Sequence, residues 1–586
     1  MKNLTPALFL ILLIVSAAFG QKAKPSPKNA VKPSGVISGT VSDETGSPIE
    51  DAEVSIQPAG SQKSGESFRE TTERSGKFNF ENLKPRRYKI YVSYAGYVLP
   101  EVFETSMGNQ KTYSINQQLN LIVRKGGAIT GKVSDEIGQP LIKVRVRAVR
   151  VRDEFGERIP AQEFARYSPQ NFTDDRGFYR IFGLTAGSYL IFVGGKDYFS
   201  EQNLKTKENS PVYYPSDSID TAGEVRVGYG QETNAVDVNF RYIQGFRVSG
   251  TITGAKVNAS NNGSVEIFLV NAANGVETVQ TQTVERDGKY AFQIEQIPDG
   301  EYEIRALQFS ERGVFSKNPL QKIKIKGADV SGLTVNLKPL NSIKGRVLME
   351  KDSKLNAVKD CAKTVETALT SIIIKFDSDA KEKSVLSSLE NIQQNIFAAP
   401  EENGDFEINR LENGRYFLNA DFPEGNLYVK DFFQQISVKE KRDLSGGLNL
   451  KTGENLDNVK IIFSDGAAKI NGKIIVSKEE KAENPAAKFV IYLIPADEIN
   501  KDNILRYAQS FSRVDGTFSF VNVAPGNYFL SAESYSTDRE TVQKSPMPKF
   551  WDVKERLKLF QNAKIGEYNL TLKPCQNSTV ELKTKL

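Results

Sequence analysis

The side chains that most often do chemistry near neutral pH are scarce in this sequence. Its 586 residues include no histidine. That removes Ser-His-Asp and Cys-His nucleophilic machinery, the H-E-x-x-H zinc site and every His-ligated metal of the common hydrolases. Carboxylate-only chemistry of the glycosidase kind survives, but it needs two acids facing each other across a deep cleft. The two cysteines, Cys361 and Cys575, are too few for a zinc site. In an exported chain they can form one disulfide, which would close a loop of more than 200 residues and restrain the unfolded ensemble; whether their Cα atoms come within bridging distance is open at this level. The acidic clusters Asp43-Glu44 and Asp174-Asp175 lack the spaced D-x-D-x-D-G pattern of a calcium loop and read as solubilising hairpin tips. The expectation is no catalytic residue, no metal and no cofactor.

Binding chemistry has more candidates. In "LIKVRVRAVRVR", Lys143, Arg145 and Arg147 fall on one face of a strand, and the phase then shifts to Arg150 and Arg152, as a bulge near Ala148 would produce. Such a row suits an acidic polysaccharide or a lipid head group, or equally a solvated face or a charge-guarded edge. "PVYYPSDS" sets Tyr213 and Tyr214 beside proline in a long insertion, and Trp551 is the chain's one tryptophan, in another insertion. Flat aromatics exposed on loops stack on sugar rings, whereas buried ones anchor a loop to its core. Glycan recognition therefore requires Tyr213, Tyr214 or Trp551 to be exposed and coplanar.

The elements that carry these residues recur five times. A strand reading I-x-G-x-V is followed at a distance by small-G-x-[YF]-x-[FI] and a Gly or Asn-Gly turn into a Tyr strand. The closing copies run Ser75–Val92, Asp175–Val193, Arg286–Ala306, Glu402–Ala420 and Val514–Ala532. A repeat of roughly 90 to 130 residues is too long for a solenoid unit and right for a small domain. Within it, apolar residues alternate in short runs divided by Gly, Asn and Pro, as in Phe78/Phe80 and Tyr302/Ile304/Ala306, which is the mark of half-buried strands. Each unit ends on a further strand, taken as "INQQLNLIV", "AVDVNFRY", "LTVNLKP", "VKIIF" and "YNLTLKP". The prediction is all-β: a tandem array of about five immunoglobulin-like or prealbumin-like β-sandwich domains. Insertions in the second, fourth and fifth units, among them "FWDVKERLKLF", have the composition of short rim helices.

These residues resemble the carboxypeptidase regulatory-like domain, a transthyretin-like β-sandwich that accompanies metallocarboxypeptidases and recurs in tandem in bacterial exported proteins. The resemblance rests on G-x-V-x-[DE]-x-x-G-x-P-[IL] at Gly39–Ile49 and Gly131–Leu141 and on T-[DE]-x-x-G-x-[FY] at Thr72–Phe78 and Thr173–Phe178. It is strong in the first two units and weakest in the fourth, whose "IKGRVLMEKDSKLNAVKDCAK" lacks the G-x-P turn. It implies the accessory fold and no peptidase activity, because the family's peptidase partner holds zinc through histidines. Pilin and collagen-adhesin B-type domains look similar but carry a Glu that catalyses an isopeptide bond; here that position holds Val92, Val193, Ala306, Ala420 and Ala532, so no crosslink is expected.

The borders follow from these patterns: a signal peptide over 1–20, a Lys/Pro/Ser linker over 21–34, then units over 35–123, 124–243, 244–340, 341–465 and 466–586, the last with an extra C-terminal strand that resembles the start of an unfinished sixth unit. No later apolar run reaches the length of a membrane span. Near-balanced charge, 77 Lys+Arg against 72 Asp+Glu, argues against nucleic acid as a partner. Short links such as Asn336–Gly345 predict a semi-rigid rod of beads. The functional expectation is an exported, non-enzymatic scaffold or adhesion element, periplasmic or at the outer surface, with a cell-surface polysaccharide or protein as partner. The alternative is a carbohydrate-binding protein that reads glycan through its insertion loops.

Overall fold

A computed structural model describes residues 35–583 apart from 60–66, 101–110, 164–170, 195–209, 256–263, 356–360, 362–367, 379–396, 476–487, 536–548 and some shorter stretches. The expected signal peptide and linker lie outside the described residues, as does most of the fourth unit's insertion. The described chain is built of two-sheet sandwiches in tandem, and one strand order recurs. In the first unit, Gly35–Ser42 pairs antiparallel with Lys77–Leu83 on one side and parallel with the closing strand Gln117–Ile122 on the other. A second sheet runs Phe68–Thr71, Glu53–Pro58, Arg87–Ser93, Tyr113–Ser114. The same arrangement, first strand between an antiparallel and a parallel neighbour, returns at Gly127–Ser134, Phe246–Thr253, Asn341–Glu350 and Ala468–Ile475. Between the two sheets of each unit lies its own apolar core, centred on Ile37, Ile129, Val248, Ile343 and Ile470, all essentially inaccessible.

The repeated motif residues each have a local mechanical task. The glycine of I-x-G-x-V sits where the closing strand crosses: a Cβ at Gly39, Gly131, Gly250 or Gly345 would overlap the carbonyl oxygen of Leu119, Val236, Leu333 or Val459. The tyrosine of the Gly turn reaches back four residues. Tyr88, Tyr189, Tyr302, Tyr416 and Tyr528 donate their hydroxyls to the carbonyls of Lys84, Thr185, Pro298, Glu412 and Ala524 at 2.6–3.2 Å. Each ring is buried, so its hydroxyl needs that acceptor. One residue before the end of the preceding strand the ladder slips by one residue in all five units, and the extra residue is left-handed: Asn82, Gly183, Gln296, Arg410 and Asn522, with φ between 57° and 76°. That is a conserved-geometry β-bulge within one chain, filled mostly by residue types that tolerate positive φ.

Three expectations need correction. The segment "YNLTLKP" is not the closing strand of the fifth unit. Asn569–Leu572 pairs with Gly526–Tyr535 in the second sheet, and Asn577–Lys583 takes the parallel place beside Ala468–Ile475. The C-terminal strand thus completes the fifth sandwich instead of starting a sixth. Nor do the units follow one another as a straight rod, because the first touches the fourth: the Arg87 guanidinium lies 3.3 Å from the Asp421 carboxylate, and Thr370 Oγ1 donates to the Pro85 carbonyl at 2.5 Å. The "FWDVKERLKLF" segment does form a helix, Val553–Ile565, but it packs on the outer face of the second sheet rather than on a rim.

Candidate functional site

The residues that carry the T-[DE]-x-x-G and G-x-P motifs are bound up in turns. Thr173 Oγ1 accepts from Val144 N at 2.9 Å and donates to Leu141 O at 2.6 Å; Thr72 does the same with Ala52 and Ile49. Asp43 accepts from the Thr45 hydroxyl and from the amides of Thr45 and Ser47, and these bonds, the hydroxyl first, hold its carboxyl below the usual range. Asp174 caps its turn through the amides of Arg176 and Phe178. Hairpin-tip acids of this kind are Asx turns, which organise backbone. Among the described residues no group of three or more Cys, Asp or Glu is arranged to hold a metal ion.

Tyr213 ends the short strand Val212–Tyr213 and Tyr214 follows it directly, with the strand's alternation of faces carried on into Tyr214. Tyr213 points out of the sandwich but is only 2% exposed: its ring lies 4.8 Å from Phe192 in a cluster with Val149, Val151, Leu190 and Val276 of the third unit. Tyr214 turns inward and packs, half-buried, against the second unit's own core. They share no plane. Trp551 is 9% exposed and stacks on Phe417 of the fourth unit, centroids 5.1 Å apart and planes at 17°. The aromatics considered for sugar stacking therefore present no open platform; Tyr213 and Trp551 fill seams between units, and Tyr214 packs on its own core.

The basic strand is also engaged. Alternation persists through Ala148, with Val144, Val146 and Ala148 facing the core, and the register slips only between Arg150 and Arg152, later than the sequence suggested. Arg147 lies over the Phe192 ring at 4.6 Å. Arg145, half-buried, forms a bridge with Phe172. Arg150 is buried and donates to Ala186 O at 2.7 Å, and Arg152 binds both oxygens of Glu224. Arg145 and Arg147 are followed on their face by Val149 and Val151, so no continuous row of cations forms.

Cys361 and Cys575 are joined in a disulfide, with Cα atoms 5.1 Å apart. It ties the opening segment of the fourth unit to the turn before the last strand of the fifth. The same two units are joined where the Arg506 guanidinium donates to the carbonyls of Val429 and Lys430 at 2.9 and 2.7 Å and Ile504 N donates to Ser445 O. Sequence reasoning missed these partners, because the signal is a pairing between distant segments. A cleft of about 530 Å³ opens between the second and third units, lined by Asp220, Asp299, Glu301, Lys322 and Lys324. Its polar groups are engaged: Lys324 Nζ donates to Glu301 at 2.8 Å, Asp299 accepts from Gly327 N, and Asp220 accepts from Asn271 Nδ2. The five positions that would carry an isopeptide catalyst, Val92, Val193, Ala306, Ala420 and Ala532, pack in or against the cores.

A search of curated proteins finds no match to the chain. Among solved structures, overlaps are found with the TIE protein of Bacillus anthracis, 14% identical over 71% of this chain and 68% of that one at a TM-score of 0.14. The minor pilin GBS52 of Streptococcus agalactiae is 13% identical over 38% and 99% at 0.20. Two B repeats of the collagen binding protein of Staphylococcus aureus are 11% identical over 74% and 99% at 0.13. At those scores the overlaps carry no argument about function. Residues 36–120 match the family model of the carboxypeptidase regulatory-like domain, so the first of the five sandwiches is a domain of that family.

Proposed function

We propose that this chain is an exported, non-enzymatic scaffold or adhesion element, a tandem of five sandwich units bordered at 35–123, 124–243, 244–340, 341–465 and 466–586, whose work is to hold its units in fixed relation at the cell surface or in the periplasm. The observation that supports this most is where the outward aromatics go. On an isolated sandwich the outer face of the second sheet is the natural place for a ligand platform. Here it is covered from the adjoining unit in the second unit around Phe192 and Tyr213 and in the fifth around Tyr492 and Trp551, while in the third the unit's own Val314 and Leu340 pack on Phe268 and Leu307. Apolar surface spent between neighbours fixes geometry and leaves little for a small ligand. The absence of histidine from the sequence supports the non-enzymatic reading. A glycan and polysaccharide panel tests it, with the full chain run beside Tyr214→Ala and Trp551→Ala. No saturable binding is expected; binding that either variant abolishes would replace the scaffold with a recognition module.

A further inference from the structure

The seams between units differ in kind. The seam of the fourth and fifth units is apolar and covalent: Phe417, Trp551, Val490 and Tyr492 share one buried cluster, and the Cys361–Cys575 bridge joins the same two units. The second and third share an apolar cluster through Val276. The first and fourth meet through polar groups, and none of the apolar clusters of described residues spans them. Asp421 is the centre of that contact. Its carboxylate receives Arg87 at 3.3 Å, Thr112 Oγ1 at 3.4 Å from a residue 309 positions away, and Lys375 at 3.9 Å. Lys89 lies over the ring of Phe397 at 5.4 Å. Arg87 and Lys375 thus both approach one carboxylate, and burial followed by repulsion from Lys375 holds the Lys89 amine below its ordinary range.

From this contrast we infer that the first and fourth units form a releasable latch centred on Asp421, which folds the chain back on itself and whose opening lets the first three units swing away from a permanently joined fourth and fifth. A polar contact whose cross-unit ion pair and Thr112 hydrogen bond both end on one carboxylate loses both when that carboxylate is removed. The apolar, disulfide-bridged seam has no such single point of failure. Asp421 stands at the end of its strand and is a quarter exposed, which makes it replaceable without disturbing the fourth unit's core.

Small-angle scattering of the full chain tests the latch, with Asp421→Arg and the swapped pair Arg87→Asp/Asp421→Arg alongside. The expected result is a compact particle for the unaltered chain, an increase in radius of gyration and maximum dimension for Asp421→Arg, and a return toward the compact value in the swapped pair. An unaltered chain that is already extended, or an Asp421→Arg chain of unchanged dimensions, overturns the latch. Should Asp421→Arg fail to fold by circular dichroism, lysine crosslinking of the unaltered chain decides: a Lys89–Lys375 crosslink identified by mass spectrometry supports the contact, and its absence while other proximal lysines react refutes it.

Discussion

The chain holds one tryptophan, and it sits at a seam, so a single substitution there can be read optically. Phe417 is fully buried, yet it does not belong to the fourth unit's core: its neighbours Tyr416 and Leu418 face that core, while Phe417 faces out onto Trp551 and the fifth unit. Replacing it by alanine removes a complete phenyl ring from a packed cluster, a change that costs about 3–5 kcal/mol where the cavity does not collapse. The stack itself accounts for about 0.5–1.5 kcal/mol of the loss. Because the ring serves the seam, the loss should fall on docking of the two units and leave the fourth sandwich folded. Phe417→Ala is therefore expected to shift the Trp551 emission to longer wavelength and raise its quenching by acrylamide while far-ultraviolet dichroism stays unchanged. Phe417→Leu, which keeps apolar volume, should fall between. An emission maximum and quenching constant equal to those of the unaltered chain would show that Trp551 packs elsewhere and would refute the seam.

Further outcomes follow from the same geometry. Tyr302→Phe should destabilise the third unit by about 1–3 kcal/mol, the cost of leaving the buried Pro298 carbonyl without its donor, read as a lower urea midpoint. Gly131→Ala should cost about 1–3 kcal/mol by overpacking against the Val236 carbonyl, seen as a lower melting temperature, whereas Gly46→Ala, at an open turn, should show only the penalty of its positive φ. Replacing Cys361 and Cys575 together by serine should remove up to about 5 kcal/mol, the chain-entropy value for a 214-residue separation, and the loss should vanish when both proteins are compared under reducing conditions. Asp43 and Asp515 have carboxyls held below the ordinary value of 3.8, chiefly by the hydroxyls of Thr45 and Thr517. Their contribution is present above that value and is lost as the pH falls below it, so Asp515→Asn should flatten the acid limb of a melting-temperature profile. At the other limb, burial pushes Tyr528 up to about 12, and stability present below pH 10 should fall as the pH rises through 12.

Most of what the sequence disclosed concerns interactions that close within one unit. Thr173, Asp174, Gly131 and Tyr302 act over a turn or across one ladder, so their types recur at fixed offsets and the sandwich can be read from them. The seams leave no such trace. Phe417 and Tyr213 alternate with inward residues as any strand residue does, and an aromatic in an insertion has the same letter whether it meets water or a neighbouring unit. Tyr213 and Tyr214 looked like a pair because they are adjacent, although adjacency on a strand is what separates them. The fifth unit's closing strand was misplaced for a related reason: "NLTL" and "NSTVELK" both alternate, and only the parallel pairing with Ala468–Ile475 distinguishes them.

The fourth unit shows what the weakest repeat gained by departing from the pattern. In the first and second units the first strand is followed by a tight Asp-capped turn that brings Pro48 or Pro140 back beside it. The fourth lacks the G-x-P sequence of that turn. The longer segment in its place carries Cys361, which reaches the fifth unit, and Thr370, which reaches Pro85 of the first. A later turn supplies Glu412, paired with Lys317 of the third. A short self-satisfied turn closes a bead on itself, because its carboxylate and amides have no valence left for a neighbour. Without it, groups of the segment can pair elsewhere, and here Cys361 and Thr370 find partners in the fifth and first units. Restoring an Asp-x-x-Gly-x-Pro turn in place of the residues between the first strand and Thr370 should therefore leave the fourth sandwich folded, while the first and fifth units lose their hold on it. A chain so altered that kept the scattering profile of the original would show that the loss of the turn and the role of this unit as the meeting point are unrelated.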